Sequence, residues 1–341
     1  MSILRRRRSP RWFTTNLTKG NDVTRFLLAA AAAVLLLPAH AQTFPTKPIR
    51  LVVPFAPGGS SSIVARAVAV EMEKGLGQPI IIDNKPGGGG NVAMLEVAKA
   101  DSDGYTLIIG HIGTLAVNPY MFAKLPFDTD RDFAPISLLA IVPSIFVVHE
   151  SVPAKDLREF VALAKKDPGR MYYGSAGNGS AGHLAMEYLK QVAGIDIQHV
   201  PYKGTGPNVT DLIAGRTQAS AAGTPPLMPH VKSGKLRVIA VGGAKRLPAL
   251  PEAGTVAEQG YPGFETTQWY GLNAPAKTPE AIVRRLAEEA AKAARHPKVQ
   301  ERFAADDAEG IGSTPAEYAA FIKKEQDRWS KVVRTANIKA D

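Results

Sequence analysis

The sequence predicts an α/β protein built as two lobes with a cleft between them. Runs of β-branched residues alternate with amphipathic helical patterns, which is typical of strands and helices that follow each other along a mainly parallel sheet. The chain has 341 residues, enough for two domains of roughly 150 residues each. Two strong helical patterns at the C-terminal end have no strands of their own to cover, so we expect them to return to the first lobe.

The first 41 residues differ in character from the rest of the chain. Residues 5–8 are four consecutive arginines, residues 26–37 are an apolar run, and Ala39-His40-Ala41 has the small-residue pattern of a cleavage site. These three features are typical of a secretory signal peptide. The apolar run is too short to span a bilayer, which takes about 20 residues. We expect residues 1–41 to direct export to the periplasm, by the Sec or the twin-arginine route.

Charge and cysteine content exclude some kinds of protein. The formal net charge is +10, and the seven basic residues and Asp22 of the first 41 residues account for +6 of it. The remaining +4 suits an anionic ligand and gives no support for nucleic-acid binding. The chain has no Cys, which excludes disulfides, thiolate zinc sites and a cysteine nucleophile.

The predicted first lobe begins with a βαβαβ unit. The helix at residues 63–76 has Val64, Val68 and Met72 on one face, as the helical period requires. The expected strands are residues 49–55, 80–83 and 105–109, and the second helix is residues 92–99.

A second series of elements starts near Pro143. Asp156 and Glu159 form a capping pair at the start of its first helix. The other expected helices are residues 184–192 and 209–214, and the expected strands are residues 144–148, 171–173, 197–200 and 237–241.

Two helices close the chain. Thr278-Pro279 opens the first, with proline where a missing N–H costs nothing, and Thr314-Pro315 opens the second, with Glu317 completing a capping box. If both helices pack on the first lobe, the chain crosses between lobes twice. The predicted domains are therefore residues 42–143 with 265–341 as lobe 1, and residues 144–264 as lobe 2.

Small-residue loops at strand–helix junctions are the strongest functional signal. Such loops place unpaired backbone N–H groups and hydroxyls at the positive ends of helices, which favours a carboxylate or phosphate ligand. In open α/β sheets these loops lie at the carboxyl ends of the strands, where ligands bind. The three long loops are residues 55–62, 174–183 and 201–207, and the shorter ones are residues 86–91, 110–114 and 222–225.

Enzyme and metal hypotheses find less support. Gly177, Gly179 and Gly182 form G-x-G-x-x-G, but Asp196 lies at the start of the next strand and not at its far end, so a dinucleotide site is poorly supported. No G-x-S-x-G elbow occurs. The seven His residues are scattered without ligand spacing, so we expect no metal and no cofactor.

Several aromatic and basic residues have two open interpretations. His183 opens a helix and either caps or packs there, with a catalytic role as the less favoured reading. Tyr202 and Lys203 form either an aromatic wall and a cation near the ligand or a solvated turn. Trp269 and Tyr270 either line the cleft or pack the hinge.

Together these motifs resemble the substrate-binding proteins of tripartite tricarboxylate transporters, the Bug family of periplasmic receptors. The similarity covers essentially the whole chain after residue 43. The stretches that carry it are Phe44-Pro45-Thr46-Lys47-Pro48-Ile49, Pro57-Gly58-Gly59-Ser60, Asp83-Asn84-Lys85-Pro86-Gly87, Asp103-Gly104-Tyr105-Thr106-Leu107, Arg131-Asp132-Phe133-Ala134-Pro135, Tyr173-Gly174-Ser175, His199-Val200-Pro201-Tyr202-Lys203-Gly204, Leu250-Pro251-Glu252 and Thr255-Val256-Ala257-Glu258.

The resemblance implies a two-domain periplasmic-binding-protein fold of the Venus-flytrap kind, type II, that closes on one small carboxylate in a cleft between its lobes. It implies a solute-binding protein without catalytic activity that serves membrane carrier subunits, and we expect a monomer that binds no nucleic acid. A ligand-sensing receptor for a signalling partner remains the alternative. The expected ligand-binding residues are Phe55, Ala56, Gly59, Ser60, Ser61, Thr114, Ser175, Gly177, Asn178, Gly179, Ser180, Tyr202, Lys203, Ala222 and Gly223.

Two departures from the family pattern bear on the ligand. The family often has an acidic residue where this chain has Ser62, and many members carry Asp-Asn where this chain has Ala222-Gly223. Both acids would be partners for a ligand ammonium group. Their absence favours a plain mono- or dicarboxylate over an amino acid, and a non-anionic ligand stays a third possibility.

Overall fold

The computed structural model describes residues 44–335 and 338. The predicted signal peptide, residues 1–41, lies outside the described residues. Within the described part of the chain, no helix combines the length and the apolar character needed to cross a bilayer.

Strands and helices alternate along the described chain, and we number each kind in order. The strands are β1 (Ile49–Val53), β2 (Ile80–Asn84), β3 (Thr106–His111), β4 (Phe133–His149), β5 (Tyr172–Ser175), β6 (Gln198–Pro201), β7 (Ala219–Gly223), β8 (Leu236–Val241), β9 (Thr267–Pro275) and β10 (Glu309–Gly310). The helices are α1 (Ser60–Leu76), α2 (Asn91–Ala98), α3 (Asn118–Met121), α4 (Leu157–Lys166), α5 (Ala181–Ala193), α6 (Thr205–Ile213), α7 (Thr224–Lys232), α8 (Glu280–Ala294), α9 (Pro297–Ala304) and α10 (Pro315–Thr335).

The strands form two parallel groups that are joined by antiparallel strands. In the first group β1 pairs in parallel with β2 and β3, and in the second β5 pairs in parallel with β6 and β7. Between them, β9 pairs antiparallel with both β3 and β4, and β4 pairs antiparallel with β7 and β8. The expectation of a mainly parallel sheet therefore holds for the two ends of the strand order and fails in its middle.

The 17-residue strand β4 belongs to both halves of the molecule. Pro143 is its last residue paired with β9, and Ser144 is its first paired with β7. We call the half built on β1, β3 and β9 lobe 1, and the half built on β5, β7 and β8 lobe 2. The fold is thus the two-lobed α/β fold that the sequence predicts, while the exact domain boundaries near residues 143 and 264 stay a prediction.

Each lobe has its own apolar core. In lobe 1, Leu51 of β1 and Val68 of α1 lie in the same buried cluster as Leu286 of α8. In lobe 2, Phe160 of α4 and Tyr173 of β5 belong to a separate buried cluster. The C-terminal helix α8 therefore packs against the first strands of the chain.

Helix starts agree with the predicted caps. Asp156 Oδ1 accepts a hydrogen bond from the amide of Glu159 at 2.9 Å. At the start of α10, Glu317 N donates to Thr314 Oγ1 at 3.3 Å and Thr314 N donates to Glu317 Oε2 at 2.8 Å. Both capping predictions are confirmed. The helix that begins after Thr278-Pro279 is interrupted, because Pro297 opens a separate helix, α9, capped by His296.

Candidate ligand-binding cleft

The N-termini of three helices meet at one small cavity between the lobes. Ser60 and Ser61 of α1 come from lobe 1, whereas Ala181 of α5 and Thr205 of α6 come from lobe 2. This inner cavity has a volume of about 30 Å³, and it is lined by Phe55, Ser60, Ser61, His111, Ile112, Ala176, Ser180, Ala181, Gly182, Thr205, Asn208, Ala221, Ala222, Gln268 and Tyr270.

Two of these helices begin without a side-chain cap. Gly59 precedes α1 and Gly204 precedes α6, and no side chain among the described residues accepts a hydrogen bond from either first turn as a cap. Glycine cannot satisfy the amides of a first turn with a side chain, so these donors are left for another acceptor. Helix α5 differs, because Ser180 Oγ accepts from the amide of His183 at 3.3 Å.

The inner cavity is polar but uncharged. Its lining includes no Asp, Glu, Lys or Arg. The hydroxyl of Tyr270 donates to Gln268 Oε1 at 2.5 Å, and burial raises the pKa of Tyr270 above its usual range, which Ser60 offsets in part through a hydrogen bond. The cavity therefore presents neutral donors next to the positive ends of helix dipoles, an arrangement that stabilises an anion.

His111 lies in this lining, at the end of β3, and was not among the predicted site residues. Its ring packs against Phe55 with ring centroids 4.7 Å apart. Its Nδ1 atom accepts a hydrogen bond from the amide of Gly113 at 2.7 Å. Burial lowers the pKa of His111 to about 3, so the ring is neutral at ordinary pH. Thr114 does not line the cavity; its Oγ1 accepts from the amide of His111 at 3.2 Å and so supports this residue.

A second, outer recess lies next to the inner cavity. It has a volume of about 250 Å³ and shares Phe55 and Ala176 with the inner cavity. Its remaining lining is Gly87, Gly88, Gly89, Gly90, Gly177, Asn178, Pro201, Tyr202 and Lys203.

Tyr202 and Lys203 have different roles in the outer recess. The hydroxyl of Tyr202 donates to Asp211 Oδ2 at 2.8 Å, and burial together with this bond raises the pKa of Tyr202 to about 12. Its hydroxyl is therefore engaged within lobe 2. Lys203 is exposed, and its carbonyl accepts from the amide of Ala56 at 2.9 Å, which links the loops of the two lobes.

Ser175 supports the loop after β5 and does not line either space. Its Oγ lies 2.6 Å from His199 Nε2 and accepts from the amide of Gly177 at 3.0 Å. The His199 ring is in turn 4.4 Å from the His183 ring, centroid to centroid. Burial, and next the positive influence of His183 and Lys190, lower the pKa of His199 to about 3. His183 also accepts from the amide of Gly179 at 3.3 Å, so it packs and orders the loop.

The lobes touch each other backbone to backbone around the cleft. A Cβ atom on Gly206 would overlap Pro57 O, one on Gly89 would overlap Asn178 O, and one on Gly113 would overlap Gly179 O. Only glycine permits such close approach of two backbones. These contacts describe a closed arrangement of the two lobes.

The predicted residues fall into three groups by position. Those that line the inner cavity are Phe55, Ser60, Ser61, Ser180 and Ala222. Those that line the outer recess are Phe55, Gly177, Asn178, Tyr202 and Lys203. Those that line neither space are Ala56, Gly59, Thr114, Ser175, Gly179 and Gly223. Of the two aromatic residues left open, Tyr270 lines the inner cavity, while Trp269 is buried and donates to Glu325 Oε2 at 2.9 Å.

Sequence reasoning missed three polar or small residues of the inner cavity that lie outside the predicted loops, Asn208, Ala221 and Gln268. His111 falls within the predicted loop of residues 110–114 but was not singled out as a site residue. The position of His111 at the carboxyl end of a parallel strand was a signal that could have found it.

Within residues 44–335 and 338, no three His, Asp or Glu side chains are grouped as a metal ion would require.

Comparison with known proteins identifies related sequences along nearly the whole chain. Residues 64–338 match the family described as "Tripartite tricarboxylate transporter family receptor". Protein BugT of Bordetella pertussis is 34% identical over 323 residues, which cover 93% of this chain and 99% of BugT.

Solved structures of similar proteins have the same fold. A periplasmic transporter is 41% identical with a TM-score of 0.85, covering 87% of this chain and 100% of its own. Rpa4515 of R. palustris, solved with adipate, is 36% identical with a TM-score of 0.84, covering 87% of this chain and 99% of its own. MatC from Rhodopseudomonas palustris, with bound malate, is 35% identical with a TM-score of 0.83, covering 85% of this chain and 100% of its own.

Proposed function

Because the chain belongs to the tripartite tricarboxylate transporter family of receptors, we propose that it captures a small dicarboxylate in the periplasm and presents it to the membrane subunits of such a transporter. The observation that carries this proposal is the meeting of three helix N-termini, from both lobes, at one cavity whose lining has no charged side chain. Two of the three helices leave their first amides without a side-chain cap. Those amides are donors for a carboxylate.

The two spaces of the cleft suit the two ends of a dicarboxylate. The inner cavity, at about 30 Å³, has room for a group of roughly two water-sized atoms, such as the two oxygens of one carboxylate. The outer recess is larger and includes the cation of Lys203, which would face the distal carboxylate. The two neighbours solved with adipate and malate both hold dicarboxylates.

A ligand ammonium group has no obvious partner in this cleft. Neither the lining of the inner cavity nor that of the outer recess includes an Asp or Glu side chain. Burying an ammonium without a paired acid is costly. We therefore propose that the ligand has no amino group.

Capture follows from hinge closure. In the open form the loops of both lobes are accessible; the carboxylate binds the helix N-termini, and the lobes, residues 42–143 with 265–341 and residues 144–264, close over it as a population shift. The proposed contacts are Phe55, Ser60, Ser61, Gly177, Asn178, Ser180, Tyr202, Lys203 and Ala222, with Ala56, Gly59, Thr114, Ser175, Gly179 and Gly223 holding the loops in place. The ligand is released unchanged, without catalysis.

Export is part of the proposal. Residues 1–41 would be removed as a signal peptide, so that the mature receptor begins at Gln42. Mass spectrometry of the protein recovered from the periplasm of an expressing bacterium would give the N-terminal residue; a chain retaining residues 1–41 in the cytoplasm would contradict export.

The binding function is tested by isothermal titration of the mature protein with matched ligand pairs. Aspartate has an ammonium group where malate has a hydroxyl, and 2-aminoadipate is adipate with one added ammonium group. We expect at least one of malate, succinate and adipate to bind, and each amino partner to bind at least tenfold more weakly. Binding of aspartate or 2-aminoadipate, with no binding of malate, succinate or adipate, would refute the ligand assignment.

A further inference from the structure

The tautomer of His111 follows from one hydrogen bond. The residue is 2% exposed, and its Nδ1 atom accepts from the amide of Gly113 at 2.7 Å. A backbone amide can only donate, so Nδ1 holds a lone pair and the neutral ring carries its proton on Nε2. His111 therefore presents an Nε2–H donor.

This donor has no acceptor among the described residues. His111 Nε2 is buried and without a hydrogen-bond partner in residues 44–335 and 338. Two side-chain acceptors of the cavity lining do not serve this donor: Gln268 Oε1 accepts from the Tyr270 hydroxyl, and Asn208 Oδ1, itself without a partner among the described residues, lies where a Cβ on Gly174 would be. Buried donors in folded proteins nearly always have a partner, so the missing acceptor is expected to come from outside the chain.

We propose that the Nε2–H group of His111, as an uncharged imidazole, donates a hydrogen bond to a carboxylate oxygen of the ligand seated in the inner cavity. This inference rests on the proposed function and adds to it a binding residue. His111 lies on lobe 1, at the end of a strand, and complements the amides at the helix N-termini. The Gly113 amide and Thr114 act on the ligand only through His111, by fixing its tautomer and its backbone.

The imidazole stays neutral when the carboxylate binds. The titratable side chain in ring contact with His111 is Tyr270 of β9. Arg50 of β1 and Glu96 of α2, on elements packed against β3, form an ion pair with each other, and the cavity lining has no Asp or Glu to stabilise an imidazolium. Burial lowers the pKa of His111 to about 3. We therefore expect no proton to be taken up on binding between pH 7 and 8, where both carboxylates of the ligand are ionised.

Two amide substitutions at position 111 test the roles of the two ring nitrogens separately. His111→Asn keeps an acceptor at the position of Nδ1 and loses the distal donor, whereas His111→Gln keeps a donor at the position of Nε2. The tightest binder among succinate, malate and adipate serves as the probe. We expect His111→Asn to bind it roughly 10- to 100-fold more weakly than the wild type, which is the usual effect of losing one buried hydrogen bond to a charged group, and His111→Gln to stay within about fivefold of the wild type.

The wild-type protein provides a second readout that does not depend on the folding of any variant. In long-range ¹H–¹⁵N spectra the His111 ring should show the Nε2–H tautomer before and after binding, and the Nε2 proton should shift and become protected from exchange when the probe binds. Titration calorimetry at pH 7 in buffers of different ionisation enthalpy should give the same apparent heat of binding.

The outcomes distinguish this inference from the proposed function. A wild-type protein that binds none of the three dicarboxylates contradicts the proposed function. A wild-type protein that binds while His111→Asn binds equally well, or while the Nε2 proton does not respond, contradicts the assignment of His111 alone. Uptake of one proton per ligand at pH 7 would contradict a neutral donor.

Discussion

At the scale of single residues, Ala222 controls the charge of the inner cavity. Its small side chain is 5% exposed, lines the cavity and belongs to the same apolar cluster as Val209 and Leu212. A carboxylate at position 222 would therefore be buried beside the space that also has to hold the ligand's carboxylate. Like charges at such short range in a buried site are strongly unfavourable.

We predict that Ala222→Asp weakens dicarboxylate binding by roughly 100-fold or more, because the two carboxylates repel each other across a few ångströms. Ala222→Asn has nearly the same shape without the charge and serves as the matched control. Titration calorimetry with the tightest dicarboxylate measures both. Equal loss in the two variants would show that added volume, not charge, is responsible, and would contradict the prediction.

The buried His111 and the half-buried His199 make the stability of the protein sensitive to acid. Burial lowers the pKa values of His111 and His199 to about 3, whereas a histidine in an unfolded chain has a pKa near ~6.5. Below pH ~6.5 the unfolded chain binds protons that the folded chain does not, so the stabilising contribution is present above that pH and is lost as the pH falls towards 3.

We predict that the free energy of unfolding decreases between pH 7 and pH 5 by at most about 2 kcal/mol on account of His111, and by less on account of the half-buried His199. Urea unfolding of the wild type and of His111→Gln at both pH values measures this, since glutamine does not titrate. A decrease between pH 7 and pH 5 that is the same in both proteins would assign the acid sensitivity to other groups.

At the scale of elements, helix starts were the most predictable feature. The capping pairs at Asp156 and Thr314 act within four residues, so the sequence alone contains the whole interaction, and the structure has both.

Strand β9 was missed, because Gly271 and the terminal Pro275 weaken its pattern and its position depends on pairing with β3 and β4, which are distant in sequence. Helix α7 was missed for a similar reason, since Pro225, Pro226 and Pro229 are typical of a loop.

The candidate site was predictable where it is made of loops and not where it is made of strand residues. The loops after β1 and β5 were found from their glycines and serines, whose residue types indicate unpaired amides. His111 was placed only within the predicted loop of residues 110–114, and Gln268 was missed together with strand β9, because the face that such a residue occupies depends on strand pairing that is distant in sequence. The free Nε2 atom of His111 depends on the turn at Gly113, which exists only in the folded chain.

The start of α6 is the element that limits closure. Gly206 is the second residue of α6, and a Cβ there would overlap the carbonyl of Pro57 on the other lobe. Alanine is otherwise the better residue within a helix, by roughly 0.5–1 kcal/mol. A single methyl group at this position should therefore obstruct the contact between lobes without harming the fold of either.

We predict that Gly206→Ala weakens dicarboxylate binding by roughly tenfold or more, since closure brings the helix N-termini of lobe 2 to the ligand, while the melting temperature of the ligand-free protein is unchanged or slightly raised. Gly243→Ala is the matched control, because an added Cβ there meets no atom closer than 3.9 Å. Calorimetry and thermal unfolding measure the two effects. Wild-type affinity in Gly206→Ala would show that this contact is not needed for binding.

At the scale of the whole molecule, the lobes are connected through hydrogen-bonded strands and not through a loose linker. Strand β4 continues from lobe 1 into lobe 2 between Pro143 and Ser144. Beside it, Gly242 N donates to Ser144 O at 2.8 Å and Thr266 N donates to Gly242 O at 2.7 Å. The connection is thus narrow but ordered, which favours rotation of two rigid lobes over unfolding of a linker.

Ligand-driven closure should then be visible as a change in overall size. At 100 times the dissociation constant, a ligand that binds only the closed form shifts the open–closed equilibrium by about 2.7 kcal/mol, which is roughly a hundredfold in population. We expect small-angle scattering of the mature protein to give a smaller radius of gyration with the saturating dicarboxylate than without it. Gly206→Ala at the same ligand excess should remain near the ligand-free value, since its added methyl group opposes the closed form. Identical scattering curves for the wild type with and without bound ligand would mean that the lobes do not rotate on binding, and the ligand would then have to enter a cleft that is already closed.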